Sequence, residues 1–263
     1  MILLLDVGNT RIKWRVVQAA GTPAMAEGAL GHAEVHGLQA IVAGFPALRR
    51  MVGSNVAGAS LGAALDGMLT TAGIAGRWVQ AARDEHGVRN GYDRPAQLGT
   101  DRWAALIGAR RLHGGPCLVV SAGTATTVDH LDADGQFQGG LILPGIDLMR
   151  QSLASNTSGL RLEDGHVTPH PRNTADAIES GCAMAQAGAV ERMFAQLVPQ
   201  EDALCVLTGG AAPRFADLLS VRTHPVPNLV LDGLAVIAAA DAADSCPPHP
   251  TGTRAWPGDG RIR

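Results

Sequence analysis

Residues 2–17, ILLLDVGNTRIKWRVV, decide how the rest of the chain is read. Ile2–Asp6 is an apolar run ended by a carboxylate, Val7-Gly8-Asn9-Thr10 is a tight turn, and Arg11–Val17 alternates polar with apolar residues. That pattern predicts strand, turn, strand. A second unit of the same shape begins near Cys117. Leu118–Val120 is apolar, Ser121-Ala122-Gly123-Thr124 turns, Ala125–Leu131 runs on, Asp132–Gly135 turns again and Phe137–Leu143 makes a third strand. With Gly8 and Gly123 aligned, each glycine stands two residues beyond the polar end of an apolar strand. Two such hairpins suggest an internal duplication with one copy per domain, over residues 1–114 and 115–245.

Between and after the hairpins, Leu61–Ala72, Arg102–Leu112, Ile146–Ala154, Ala175–Val198 and Leu231–Ala243 have helical character, and Leu204–Leu207 reads as a strand. Strands alternating with helices give an α/β class. From Cys246 onward the text is rich in Pro, Gly and Arg without periodicity, so residues 246–263 read as a disordered tail.

The chain has 263 residues, 46% of them hydrophobic and 17% charged, which is enough apolar material for a sizeable core. A net charge of −3 offers no basic footprint for nucleic acid, and no polybasic run marks a membrane surface. No apolar stretch is long enough to span a bilayer, and Asp6 interrupts the apolar N-terminus too early for a signal peptide. Cys117, Cys182, Cys205 and Cys246 form no CxxC pair and read as reduced thiols, a cytoplasmic pattern.

The usual nucleotide cradles are missing. Lys13 is the only lysine and has no GxxxxGK[ST] context, and GxGxxG and HExxH do not occur. The first hairpin offers another cradle. Gly8 lets turn amides approach phosphate oxygens, Asn9 and Thr10 add neutral donors, Lys13 adds a positive charge, and Asp6 can hold Mg²⁺. An ordinary Gly-Asn hairpin turn is the alternative. In the second hairpin, Gly123-Thr124-Ala125-Thr126-Thr127 places three hydroxyls beside a glycine, although threonine is also a good strand residue. Thr208-Gly209-Gly210, after the apolar Leu204–Leu207, would let a flat adenine lie on backbone. Phosphate, phosphate, adenosine is the order that carries the reading.

Six stretches in order then make the resemblance specific: Asp6–Trp14 (DVGNTRIKW), Gly91–Arg102 (GYDRPAQLGTDR), Gly123–Thr127 (GTATT), Gly139–Gly145 (GGLILPG), Asn173–Gly181 (NTADAIESG) and Leu231–Leu234 (LDGL). The chain resembles type III pantothenate kinase, also known as the Bvg accessory factor family, from Ile2 to about Ala243. That resemblance implies duplicated ribonuclease H-like domains of the actin-like ATPase kind with a cleft between them. It implies ATP-dependent phosphorylation of pantothenate, the first step of coenzyme A synthesis. By the same resemblance ATP falls to Asp6, Val7, Gly8, Asn9, Thr10, Arg11, Ile12, Lys13 and Thr124. Pantothenate falls to Tyr92, Gly99, Thr100, Asp101, Arg102 and Thr174, with Asp101 as proton acceptor.

The residue types suit those tasks. Arg102 can meet a carboxylate, Tyr92 and Thr174 supply hydroxyls, and Asp101 opens a helix whose dipole favours its ionised form. A helix cap is the plainer reading of Asp101. The sequence departs from the family at Ser121, where an aspartate tied to a monovalent cation (K⁺ or NH₄⁺) is usual; Asp129 has the wrong spacing to replace it directly. The resemblance also implies a homodimer with the substrate site near the subunit boundary. The competing readings are a regulatory accessory protein acting through protein contacts, and an actin-like kinase for another small hydroxy or carboxylic acid.

Overall fold

The computed structural model describes residues 1–157, 159–160, 163–197 and 201–244, with side chains as far as Asp241. The expected tail over 246–263, with Cys246, lies outside the described residues. The first sheet contains β1 (Ile2–Val7), β2 (Arg11–Val17), β3 (Ala24–Gly31), β4 (Arg50–Asn55) and β5 (Ala75–Trp78), in the order β3-β2-β1-β4-β5. Between its strands come α1 (Gly37–Gly44) and α2 (Ala59–Thr71). Short strands β6 (Asp84–Glu85) and β7 (Val88–Asn90) lead to α3 (Thr100–Leu112). The second sheet follows with β8 (Cys117–Ala122), β9 (Ala125–Leu131) and β10 (Gln136–Pro144), then α4 (Ile146–Asn156), α5 (Thr174–Phe194), β11 (Leu204–Thr208), β12 (Thr223–Pro225) and α6 (Leu229–Asp244). Its order is β12-β11-β8-β9-β10-β7-β6.

The duplication expected from the two hairpins is visible in the pairing. In each sheet three consecutive strands form an antiparallel meander, and the first of them pairs in parallel with a later strand, β1 with β4 and β8 with β11. Each of those strands pairs in parallel in turn with β5 or β12. The match extends to residues: Asp6 lies opposite Lys13 and Ser54, and Ser121 lies opposite Thr127 and Thr208. Ser121 is therefore the counterpart of Asp6. Beyond the common five strands, β7 and β6 extend the second sheet past β10, although they precede α3 in the chain.

β1 and β8 are buried on both faces, which is why their sequences run apolar rather than alternating. Leu3, Leu5 and Val7 face a core closed by α1 and α2, while Ile2 and Leu4 face a central core between the sheets. Val119, Leu131, Phe137 and Val206 reach that central core from the second sheet, and Leu118, Val120 and Val128 face a third core under α5. Cys117, Cys182 and Cys205 are buried free thiols.

The central core is filled by α3 and α6, the most extensive helix pair among the described residues. They cross at glycines. A Cβ on Gly233 would stand 1.8 Å from Ala104 O, and one on Gly108 would stand 2.7 Å from Leu229 O. Helix α6 follows the second sheet in the chain, yet ion pairs tie it to the first: Arg15 Nη1 to Asp232 at 2.6 Å, and Arg50 and Arg77 to Asp241. Since the clash at Gly233 is with backbone, the helices must part to admit a side chain. Gly233→Ala is expected to lower stability by about 2–3 kcal/mol, read as a fall in thermal midpoint; an unchanged midpoint contradicts this packing.

Candidate active site

The two hairpin turns meet. Thr10 Oγ1 lies 2.7 Å from Thr124 Oγ1, so residues far apart in the chain share one hydrogen bond at the mouth between the sheets. The turns are built alike but not identically. In the first, Gly8 N–H donates to Arg11 O; in the second, Gly123 N–H donates to Ala125 O, one residue tighter. Neither glycine has a positive φ, and a Cβ on either would meet its nearest protein atom at an ordinary 3.5 or 3.6 Å. The protein itself does not require glycine at these positions. Their bareness leaves the turn amides open to approach, which is what phosphate oxygens need. Gly209 is different: its φ is +98° and a Cβ would strike Ala122 O at 2.1 Å, so this glycine seats its turn against β8.

Asp6 ends β1 on the cleft side, beside Lys13 on β2. Burial pushes the Asp6 carboxyl up to about 6, with Asp101 adding to the rise and Lys13 opposing it. Asp101 is itself raised by burial, against the backbone hydrogen bond it accepts from Arg102 N at 2.8 Å. Asp101 is not the N-cap of α3, which is Gly99, but its Oδ1 accepts an N–H of the first turn. Gly99 keeps the space clear, since a Cβ there would stand 2.7 Å from Asp101 Oδ1. Thr100 Oγ1, next to Asp101, is 2.8 Å from Ser54 Oγ at the end of β4, which ties the start of α3 to the strand beside Asp6. Ser54 was not legible as a site residue; only its place in the sheet reveals it.

Arg102 is held in a buried cluster. Its Nε and Nη2 donate to Asp129 at 3.1 and 2.5 Å, its Nη1 donates to Tyr92 OH at 2.9 Å, and its guanidinium packs against the Tyr92 and Phe137 rings. Three of its five N–H groups are thereby committed. Asp129, which the sequence marks only as mis-spaced for a cation, is the counterion of Arg102. Breaking so buried a pair strands a charge, at a cost of roughly 3–5 kcal/mol.

Contacts thus link Thr10 with Thr124, Asp6 with Lys13 and Asp101, and, through the start of α3, Gly99, Thr100, Asp101 and Arg102 with Tyr92, while Val7, Gly8, Asn9, Arg11 and Ile12 complete the first hairpin. Thr174 stands apart. It opens α5, with Asn173 Oδ1 capping Asp176 N at 2.8 Å, and lines a groove of about 900 Å³ between α4 and α5. That helix covers the face of the second sheet away from α3.

A family model for type III pantothenate kinase matches residues 2–196. The chain belongs to the type III pantothenate kinase family. A type III pantothenate kinase from Aromatoleum aromaticum is 59% identical over 243 residues, covering 92% of this chain and all of that protein. Among solved structures, a Sinorhizobium meliloti chain named as a 2-dehydro-3-deoxygalactonokinase superposes with a TM-score of 0.59 at 17% identity, over 94% of this chain and 100% of that one. A Campylobacter jejuni protein named as a Baf family transcriptional activator gives a TM-score of 0.58 at 18% identity, over 92% and 99%. Those two likenesses show a shared fold and nothing finer. In this member of the pantothenate kinase family, Ser121 stands before the second turn on the same face of β8 as Val119, which reaches the central core.

The charge at Asp6 predicts a pH signature. Its folded value of about 6 lies above the ordinary 3.8, so the folded chain holds a proton that the unfolded chain releases. Without nucleotide, stability is therefore expected to fall as pH rises from about 4 through 6. If Asp6 ligates the metal of Mg²⁺·ATP, that binding strengthens over the same interval as the carboxylate ionises. Asp6→Asn is expected to weaken both dependences, followed by thermal melts and nucleotide titration from pH 4 to 7, with Asp101 and Asp129, also raised by burial, supplying what remains. A wild-type profile that is flat across that range contradicts the assignment.

Proposed function

We propose that the chain transfers the γ-phosphoryl group of ATP to the primary hydroxyl of pantothenate, giving 4′-phosphopantothenate at the entry to coenzyme A synthesis in the cytoplasm. The observation that carries this reading is the meeting of the two turns at Thr10 and Thr124, with Asp101 close enough to Asp6 to raise its pKa. The donor set fits Mg²⁺ carried by a triphosphate. Asp6 and Asp101 crowd negative charge beside Lys13 and an Arg102 already paired with Asp129, a surplus that a divalent cation offsets. Among the described residues no three ligating side chains converge, so the ion would hold to Asp6 and take its other oxygens from phosphate and water.

The chain's own groups do the rest. Turn amides and Lys13 hold the phosphates, with the γ-phosphoryl oxygens facing Thr10 and Thr124. Tyr92, Gly99, Thr100 and Arg102 place pantothenate so that its hydroxyl meets Asp101. Burial raises the basicity of that carboxylate and equips it to take the hydroxyl proton. The transition state of phosphoryl transfer is loose, so alignment contributes more than base strength. Asp101→Asn is expected to leave ATP binding intact and to lower pantothenate-dependent ATP consumption at least about tenfold. Near-normal turnover places the base elsewhere. In a cell, loss of coenzyme A synthesis with this variant separates the kinase from an accessory regulatory role.

The position of Thr174 supports a homodimer in which this residue serves the partner's site. Leu141 and Ile142 on β10, Leu148 and Leu153 on α4 and Met184 on α5 form an exposed apolar surface beside the Thr174 groove, Ile142 being 65% exposed. Mixing Asp101→Asn with Thr174→Ala chains is expected to restore activity, because one site of each mixed dimer then combines Asp101 with Thr174. Failure of mixed dimers to recover activity places both residues in one subunit's site. The proposal retains two lobes, 1–114 and 115–245, with β6, β7 and α6 exchanged between their sheets. It also retains a monovalent cation near Ser121, where K⁺ or NH₄⁺ added to a choline buffer should stimulate turnover; no response removes that ion.

A further inference from the structure

The two phosphate turns are steadied from outside by different means. In the second, Gly145 N–H donates to Thr124 O at 2.9 Å, and Gly145 lies so close that a Cβ would stand 2.2 Å from Gly123 O. In the first, the support is a side chain. His32 Nε2 lies 2.8 Å from Gly8 O, and because a carbonyl oxygen only accepts, the ring nitrogen is the donor. The ring is delivered accurately. Strand β3 pairs with β2 so that Gly31 faces Arg11, the last residue of the turn. Immediately after it, a single 3₁₀ turn (His32–Glu34) is fixed at both ends, by Gly31 N–H on Glu34 Oε2 at 2.8 Å and by Val35 N–H on His32 O.

We propose that His32 is a positioning residue of the phosphate turn, aiming the Asn9 N–H by holding the carbonyl of Gly8. The peptide joining Gly8 to Asn9 is planar and trans, so its N–H points opposite to its C=O. Fixing Gly8 O on His32 therefore directs Asn9 N–H away from His32. The Gly8 N–H is spent on Arg11 O, whereas the Asn9 and Thr10 N–H groups make no hydrogen bond among the described residues. A glycine peptide without this anchor is free to rotate, and the amide that a phosphate needs would be presented only part of the time. This inference rests on the nucleotide site proposed above and adds a residue outside the hairpin to it.

The test compares His32→Leu, which keeps bulk but lacks a donor, with His32→Gln, whose carboxamide restores one. Binding of Mg²⁺·ADP is measured by calorimetry without pantothenate, and KM for ATP and for pantothenate is measured separately. Loss of one net hydrogen bond is worth roughly five- to tenfold. His32→Leu is expected to weaken ADP binding and raise KM for ATP by about that factor, with KM for pantothenate unchanged and His32→Gln recovering most of the loss. Wild-type ADP affinity in a folded His32→Leu variant overturns the proposal, as does an equal rise in both KM values or a failure of glutamine to rescue. If His32→Leu does not fold, His32→Gln alone decides: near-wild-type ADP affinity supports the anchor, and a loss as large as tenfold overturns it. Should the wild type bind ADP yet leave pantothenate unphosphorylated, the substrate assignment fails while the anchor still stands.

Discussion

The close crossing of α3 and α6 is the constraint on which the molecule turns. Two helices approach this tightly only where side chains are missing, and here Gly108 and Gly233 meet the partner backbone directly. Because α3 leads into the second sheet and α6 returns from it to the first, the crossing sets both sheets against one central core. The two hairpins then face each other, and the first turn of α3 emerges between them with Asp101. Separate the helices and the cleft loses its shape before any catalytic group is touched.

Within that frame the site is a problem in buried charge. Burial raises Asp6, Asp101 and Asp129, and the charge of Asp101 adds to the rise at the other two, with Arg102 and Lys13 as the nearby cations. Arg102 is committed to Asp129, and the aromatic rings of Tyr92 and Phe137 keep water from that pair. Asp6 is left with Lys13, and Asp101 with the charge of an Arg102 already paired to Asp129. A cleft short of positive charge, lined by turn amides, favours a ligand that arrives with its own metal ion, and a nucleoside triphosphate is such a ligand.

Much of this was legible in the sequence because it rests on local chemistry. The strands β1, β2, β8, β9 and β10 and most of the helices announce themselves through periodicity and turn residues, and the paired glycines already suggest the duplication. The strands β3, β4 and β5 do not. Gly28 lies under the Trp14 ring and Gly53 under Trp78, so these strands carry glycine where a β-branched residue would have signalled sheet. The partners of the site were hidden for a different reason. Asp129, Ser54 and His32 act through contacts that cross sheets or join distant strands, and no spacing in the chain encodes them. Thr174 was legible by resemblance, yet only the fold shows that it lies on the far side of the second sheet from Asp101.

The most direct test of the account is a crystal structure of the chain with a non-hydrolysable ATP analogue, Mg²⁺ and pantothenate. The account predicts the β- and γ-phosphates between the Gly8–Thr10 and Gly123–Thr124 turns, with the pantothenate hydroxyl about 3 Å from an Asp101 oxygen. Phosphates bound away from both turns, or an acceptor hydroxyl on a surface that Asp101 does not reach, would contradict it.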